Sequence, residues 1–255
     1  MIAALVLAAT LLGSPQDGTG ATGKPPPPRQ SIAGLQGFDC VSTVVFPEAP
    51  DRSRRLRATY AFPDRVRWQW TRGGEDRGDH EVRYRYGESL YLLREGARHS
   101  DECSGAEREE MRLAMELRRA LVLYPDGFAW KEAKGERKAD LGEAGALYAR
   151  PSSASDPRPV EMRAATRDGR TVETYQGILW RESGGRSWPT GLELWRAGQL
   201  VGRETIESID TEGRVIDAFF LPVDRRTGDR SAGTTMPVEE ARDCLLYTSP
   251  SPRDS

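Results

Sequence analysis

Few side chains in this sequence could do bond chemistry. There are two histidines, His80 and His99, and three cysteines, Cys40, Cys103 and Cys244. The run His99-Ser100-Asp101-Glu102-Cys103 collects metal-ligating residue types, but as immediate neighbours rather than at ligand spacing, and nothing elsewhere partners them. Neither a G-x-S-x-G nucleophile elbow nor a phosphate-cradling glycine loop occurs. Carboxylates are plentiful, yet context singles out no acid/base pair. The sequence therefore reads as non-enzymatic, with no metal and no cofactor. What it offers instead is a greasy, concave sheet face. The residues for that are Tyr60, Phe62, Val66, Trp68, Trp70, Val82, Tyr84 and Tyr86, joined by Leu113 and Leu117 further along.

The aromatic set lies on elements with a period of two. Leu56, Ala58, Tyr60 and Phe62 alternate with Arg55, Arg57, Thr59 and Ala61. After Pro63-Asp64 the beat resumes with Val66, Trp68 and Trp70 against Arg65, Arg67 and Gln69. Val82, Tyr84 and Tyr86 then alternate with Arg83 and Arg85. Alternation of this kind sends one set to each face of a sheet. The even-numbered residues are expected to form one aromatic, concave face and the arginines a solvated outer face that also blunts the sheet edges. A register slip of one residue would bury arginine instead. Either the aromatic face surrounds a cavity or a helix fills it.

Ser104-Gly105-Ala106-Glu107 has the spacing of a capping box, and a helix is expected over Glu107 to Leu123. Positions 113, 117, 120, 121 and 124 share a face, and 111, 114, 115 and 122 widen it. Tyr124-Pro125-Asp126-Gly127 stops the helix. The helix reads either as a core element or as a lid over an apolar cavity, and Met111 and Met115 suit both. Strands are then expected at Phe128–Ala133, Arg137–Leu141, Ala146–Ala149, Pro159–Thr166, Thr171–Trp180, Leu192–Arg196, Gln199–Ile209 and Arg214–Leu221. Arg167-Asp168-Gly169-Arg170, Ala197-Gly198 and Asp210 to Gly213 supply turns. Short connections favour an antiparallel meander over a parallel sheet.

A net charge of −2 gives no electrostatic case for nucleic acid. The apolar run Ile2 to Leu12 is too short to span a bilayer, which takes about 20 residues. With Gly13-Ser14-Pro15 after it, residues 1–13 read as a signal peptide for export. Residues 14–36, with Pro25 to Pro28, read as an extended linker. One domain is expected over 37–226, followed by an irregular, truncated tail over 227–243. Residues 244–255 match the translated end of a sequencing adapter and are read as an artefact. With Cys244 set aside, Cys40 and Cys103 form an even pair in an exported chain. A disulfide is expected between them, with two unpaired thiols as the alternative.

Several motifs, in order, resemble the LolA-type periplasmic lipoprotein carriers. They are Tyr60-Ala61-Phe62-Pro63-Asp64-Arg65-Val66-Arg67-Trp68, Gly87-Glu88-Ser89-Leu90-Tyr91-Leu92-Leu93, Ala146-Leu147-Tyr148-Ala149-Arg150-Pro151, Arg167-Asp168-Gly169 and Ala218-Phe219-Phe220-Leu221-Pro222. The resemblance covers most of Phe38 to Pro222. It implies a mainly β fold, α+β in class: a curved antiparallel half-barrel with a main amphipathic helix and short lid helices over an apolar cavity. It implies a soluble periplasmic protein whose partners are lipoprotein acyl chains or lipid, with an envelope donor or acceptor protein. Each buried CH₂ of such a chain would contribute about 0.8 kcal/mol. An envelope structural or stress-sensing domain of the same fold is the alternative. At Phe62 the chain departs from the pattern, which has an arginine before the proline that holds the lid shut.

Overall fold

The computed structural model describes residues 35–72, 81–153, 155–212 and 217–222. The expected signal peptide, most of the Pro-rich linker, the turn carrying His80 and the residues after 222 lie outside the described residues.

Six strands come first: β1 (Gly37–Phe46), β2 (Ala49–Ala61), β3 (Arg65–Arg72), β4 (Glu81–Tyr86), β5 (Ser89–Arg94) and β6 (Asp101–Glu102). A helix, α1 (Gly105–Leu123), follows. Seven more strands complete the fold: β7 (Lys131–Ala133), β8 (Glu136–Asp140), β9 (Ala146–Pro151), β10 (Pro159–Ala165), β11 (Thr171–Ser183), β12 (Arg186–Arg196) and β13 (Gln199–Asp210). All join one open sheet in the order β6-β5-β4-β3-β2-β1-β13-β12-β11-β10-β9-β8-β7. Every pairing is antiparallel.

The topology explains why the described residues hold one α-helix. Each half of the chain is a meander of sequence neighbours, the pattern that short turns allow. The first meander runs from the centre of the sheet to one edge, and the second starts at the other edge and returns to the centre. The halves are joined along β1 and β13, where Cys40 pairs with Ile209 and Thr43 with Thr205. α1 makes the crossing between the two edges, and 19 residues at about 1.5 Å each give it the length. It packs against β5 on one side and β10, β11 and β12 on the other, so the sheet curls round it. Both sheet edges are short strands, a common defence against edge-to-edge association. The turn residues Gly184-Gly185 and Ala197-Gly198 all have positive φ, as the tight hairpins between β11, β12 and β13 require.

Three local expectations need correction. Ser104 stands at the helix N-cap, but its side chain makes no capping hydrogen bond. Glu107, the other half of the expected box, is bonded by Arg94 at 3.0 Å instead. A charge-assisted bond to an arginine outcompetes a reach back to a backbone N–H. In the described part of the expected last strand, Asp217–Phe220 is a short 3-10 turn packed on β3 and β4. The expected strand beginning at Phe128 starts only at Lys131. Phe128 and Trp130 pack against the core instead.

Candidate functional site

The concave face is apolar and largely filled. Phe38, Cys40, Leu56, Ala58, Tyr60, Val66 and Trp68 are buried in one cluster with Leu113, Met115, Leu117 and Leu121 of α1. Phe62 and Trp70 are half-buried at its margin. Even-numbered residues of β2 and β3 do share this face, because Tyr60 lies opposite Val66, Ala58 opposite Trp68 and Leu56 opposite Trp70. The polar ends of the aromatics are used to seat the helix. Tyr60 donates from Oη to the carbonyl oxygen of Met115 at 2.8 Å, and Trp68 Nε1 donates to Tyr60 Oη at 3.0 Å. Burial drives the Tyr60 phenol well above its usual range, with Arg118 acting in the opposite sense. Phe38 stacks on Tyr60 with ring centroids 4.4 Å apart.

Val82, Tyr84 and Tyr86 do not belong to this face. Val66 lies opposite Arg85, Trp68 opposite Arg83 and Gln69 opposite Val82. Opposed residues point the same way, so Arg83 and Arg85 face α1 and the three expected cavity residues face outward. The physical reason is register. Opposed positions are of like parity across β2 and β3 but of unlike parity across β3 and β4, so the even-numbered set changes face at the second hairpin. Val82 and Tyr84 form a separate outer cluster with Leu93, flanked by Tyr91 and Ala97. Nearby, the Arg67 guanidinium lies 4.2 Å from the Phe219 ring centroid and 5.6 Å from that of Tyr84. Tyr86 is exposed.

Two buried ion pairs hold α1 in the groove, and the sequence reading missed both. Arg118 meets Glu204 of β13 fork to fork: Nη1 donates to Oε1, and Nη2 donates to Oε2 at 2.5 Å. The side chains are 3% and 0% exposed. Burial by itself would lower the Arg118 proton affinity, but Glu204 reverses this and holds the group above its usual range. The Arg118 guanidinium also lies 5.4 Å from the Tyr175 ring centroid. On the other side of the helix Arg85 of β4 donates to Glu116. One signal was available: Arg118 lies four residues after Ala114 and three before Leu121, inside the apolar arc.

Phe62 lies at the rim, 6.1 Å from Phe38 between ring centroids. The guanidinium of Arg119, on α1, is 4.8 Å from the Phe62 centroid and 5.2 Å from that of Phe128. The helix thus brings the cation to an aromatic rim. At the N-terminal half of α1 a cavity of about 170 Å³ remains. Leu92, Met111, Ala114 and Val172 give it apolar walls, and Arg83, Glu107, Glu110, Glu173 and Arg196 ring it with both signs of charge. Arg83 is paired to Glu81 at 2.6 Å. Arg196 donates from Nε and Nη2 to Glu173 Oε2 at 2.9 and 2.8 Å. A void this size, walled by carbon and rimmed by charge, can take an aliphatic tail beneath a polar head.

The expected disulfide is not formed: Cys40 and Cys103 are both buried free thiols. β2 to β5 separate their positions along the sheet, whereas bridging needs Cα atoms within about 7 Å. Burial pushes the Cys40 thiol up to about 12, with Arg118 opposing. The proton is thus held more tightly in the folded state than at the ordinary value of 9.0. This contribution to stability is complete below about pH 9 and is lost as pH rises toward about 12. Peptide-level alkylation at neutral pH should leave Cys40 unmodified until the chain is unfolded, with no Cys40–Cys103 crosslinked peptide. Rapid labelling of Cys40 in the native protein would contradict its burial. Among the described residues no group of three or more His, Cys, Asp or Glu is arranged to hold a metal ion. His99 lies 3.3 Å from Asp101.

No family model matches the chain, and no curated relative does. Solved structures with a similar fold include a LolA superfamily protein from Nitrosomonas europaea, 12% identical, covering 73% of this chain and 90% of that one, with a TM-score of 0.46. A putative outer membrane lipoprotein-sorting protein domain from Vibrio parahaemolyticus is 8% identical, covering 75% and 91%, with a TM-score of 0.45. A DUF1329 family protein from Desulfovibrio piger is 11% identical, covering 74% and 91%, with a TM-score of 0.47. No helix among the described residues is long and apolar enough to cross a membrane.

Proposed function

We propose that the protein is an exported acyl-chain-binding protein of the cell envelope, here with its helix seated in the groove. The observation that carries this reading is the cavity beside Met111 and Ala114. Its volume, about 170 Å³, compares with the ~150 Å³ that suffices for a benzene-sized ligand. It adjoins the core cluster, which includes Leu92, Met111 and Ala114. Unseating the whole helix is too costly for one chain. Leu113, Met115, Leu117, Leu121 and Val122 are fully buried. Together they contribute roughly 8–15 kcal/mol, and breaking both ion pairs adds several more. One acyl chain, at about 0.8 kcal/mol per CH₂, does not recover that sum. A chain would instead part the N-terminal half of α1 from β5 and β11, leaving the ion-paired half in place. Cargo would come from, and pass to, an envelope partner.

Lipid co-purified with the exported protein and identified by mass spectrometry tests this directly. Ala114→Leu fills the cavity and should reduce the retained lipid about tenfold while the fold is preserved. Lipid-free protein that binds no acyl ligand of any length would end this reading. It would favour an envelope interaction or stress-sensing domain, for which the filled groove and the ion pairs at α1 speak. Phe62 packs on Arg119 in the ion-paired half of α1 and does not line this cavity, so Phe62→Arg should leave release of a bound fluorescent fatty acid unchanged. Faster release with an intact fold would show that the bound chain extends past the Arg118–Glu204 pair to the rim at Phe62.

A further inference from the structure

We infer that the cavity at the N-terminal half of α1 is a site for a single-tailed zwitterionic amphiphile, with about six methylenes inside and the two head-group charges shared between the Arg83–Glu81 and Arg196–Glu173 pairs. This rests on the acyl-chain reading above and adds the head chemistry and the tail depth.

The tail depth follows from volume and from what lies deeper. A cavity close to 170 Å³ takes about as many carbon atoms as a benzene-sized void, roughly six. One turn further along α1, after Ala114, the chain reaches Arg118, whose pair with Glu204 is almost wholly buried. Pushing methylenes past that pair would strand two charges in the core, which is more costly than the burial gained. The ion pair is therefore the floor of the site.

The head chemistry follows from the rim. Arg83 and Arg196 come from β4 and β12, each already tied to a carboxylate of the sheet. Arg196 is 42% exposed although its partner Glu173 is only 2% exposed, so the cation reaches the opening while its anion stays inside. Glu107 and Glu110 enter from the first turns of α1 and are themselves paired, to Arg94 and Arg170. Every rim charge thus has an opposite within reach. A head of one sign would draw one member from its pair and leave the other uncompensated. A zwitterion supplies both signs and exchanges one pair for two.

Isothermal titration below the micelle limit tests this with ethyl-, butyl-, hexyl-, octyl- and dodecylphosphocholine, dodecyl sulfate, dodecylamine and phosphocholine without a tail. Affinity should rise about fourfold per methylene over the first six or so and then level off. Dodecylphosphocholine should bind at least about tenfold more tightly than either singly charged chain. Tail-less phosphocholine should not bind measurably, and binding as tight as the amphiphile's would show a site for a free zwitterion and overturn the proposal. Arg83→Gln combined with Glu173→Gln and Arg196→Gln removes charge from both pairs and leaves the apolar walls. It should bring the three dodecyl compounds within about threefold of one another while keeping the tail dependence. Circular dichroism checks that the triple variant folds. Should it not fold, Arg83→Gln alone should at least halve the preference. Equal binding of all three head groups by the unaltered protein would overturn the head-group inference and leave acyl-chain binding standing. Binding of none of them would overturn both.

Discussion

Arg118→Ala is expected to lower the free energy of unfolding by about 3–5 kcal/mol, because it leaves Glu204 as an unpaired charge in the core. Glu204 is the reason the effect is large: its side chain is 0% exposed, in a strand at the middle of the sheet, and both of its oxygens accept from Arg118. At roughly 2–4 °C per kcal/mol for a domain of this size, the melting temperature should fall by about 10 °C. Arg118→Met with Glu204→Gln should recover most of the loss, since replacing a buried pair by neutral groups of similar volume is often close to neutral. By contrast, Arg55 and Glu207 pair at 3.2 Å on the exposed face, with side chains 50% and 39% exposed. Arg55→Ala should change stability by less than about 1 kcal/mol. Chemical denaturation of the unaltered protein and the three variants decides the matter. Similar losses for Arg118→Ala and Arg55→Ala would mean that the core pair is hydrated and does not anchor the helix.

The same ion pair marks where the sequence ceased to be readable. Period-two alternation placed Tyr60, Val66, Trp68 and Trp70 on one face correctly, because β2 and β3 are joined by a short turn that preserves parity. It failed for Val82, Tyr84 and Tyr86, because parity crosses a hairpin only if the register is known. Register here is set by pairings such as Arg67 with Tyr84, which no periodicity encodes. The helix and its stop were legible, since the nineteen residues between Ser104 and Tyr124 mix Leu, Met and Ala with Glu and Arg at helical spacing and contain no proline. The polar residues inside the core were not. Glu204 sits between Gly202 and Ile206 on the inward side of β13, and nothing in that strand distinguishes it from the solvated Glu207. The cysteines misled for a related reason. Counting favours a bridge, but Cys40 and Cys103 fall on strands and loops that the meander keeps apart. Identity and local period give elements and faces, whereas long-range pairing determines which charges meet.

Leu117→Ala separates a filled core from a groove that takes cargo. Leu117 is fully buried in the cluster that joins α1 to the sheet, so truncation should remove about 2–5 kcal/mol and leave a cavity. That cavity would lie one turn from Ala114, which lines the existing void. If acyl chains enter beside α1, the variant offers them more room on the same path, and ligand should restore part of the lost stability. Ligand at about 100 times its dissociation constant returns about 2.7 kcal/mol. Dodecylphosphocholine should then raise the melting temperature of Leu117→Ala by several degrees more than that of the unaltered protein. Two opposed effects are thus expected from one substitution: lower intrinsic stability and a larger thermal shift with ligand. The paired melting curves are informative in each direction. A large loss of stability with no added ligand shift would show that the space under Leu117 is core alone. In that case the helix is a permanent part of the fold, and binding is confined to the rim formed by β4, β5, β11 and β12.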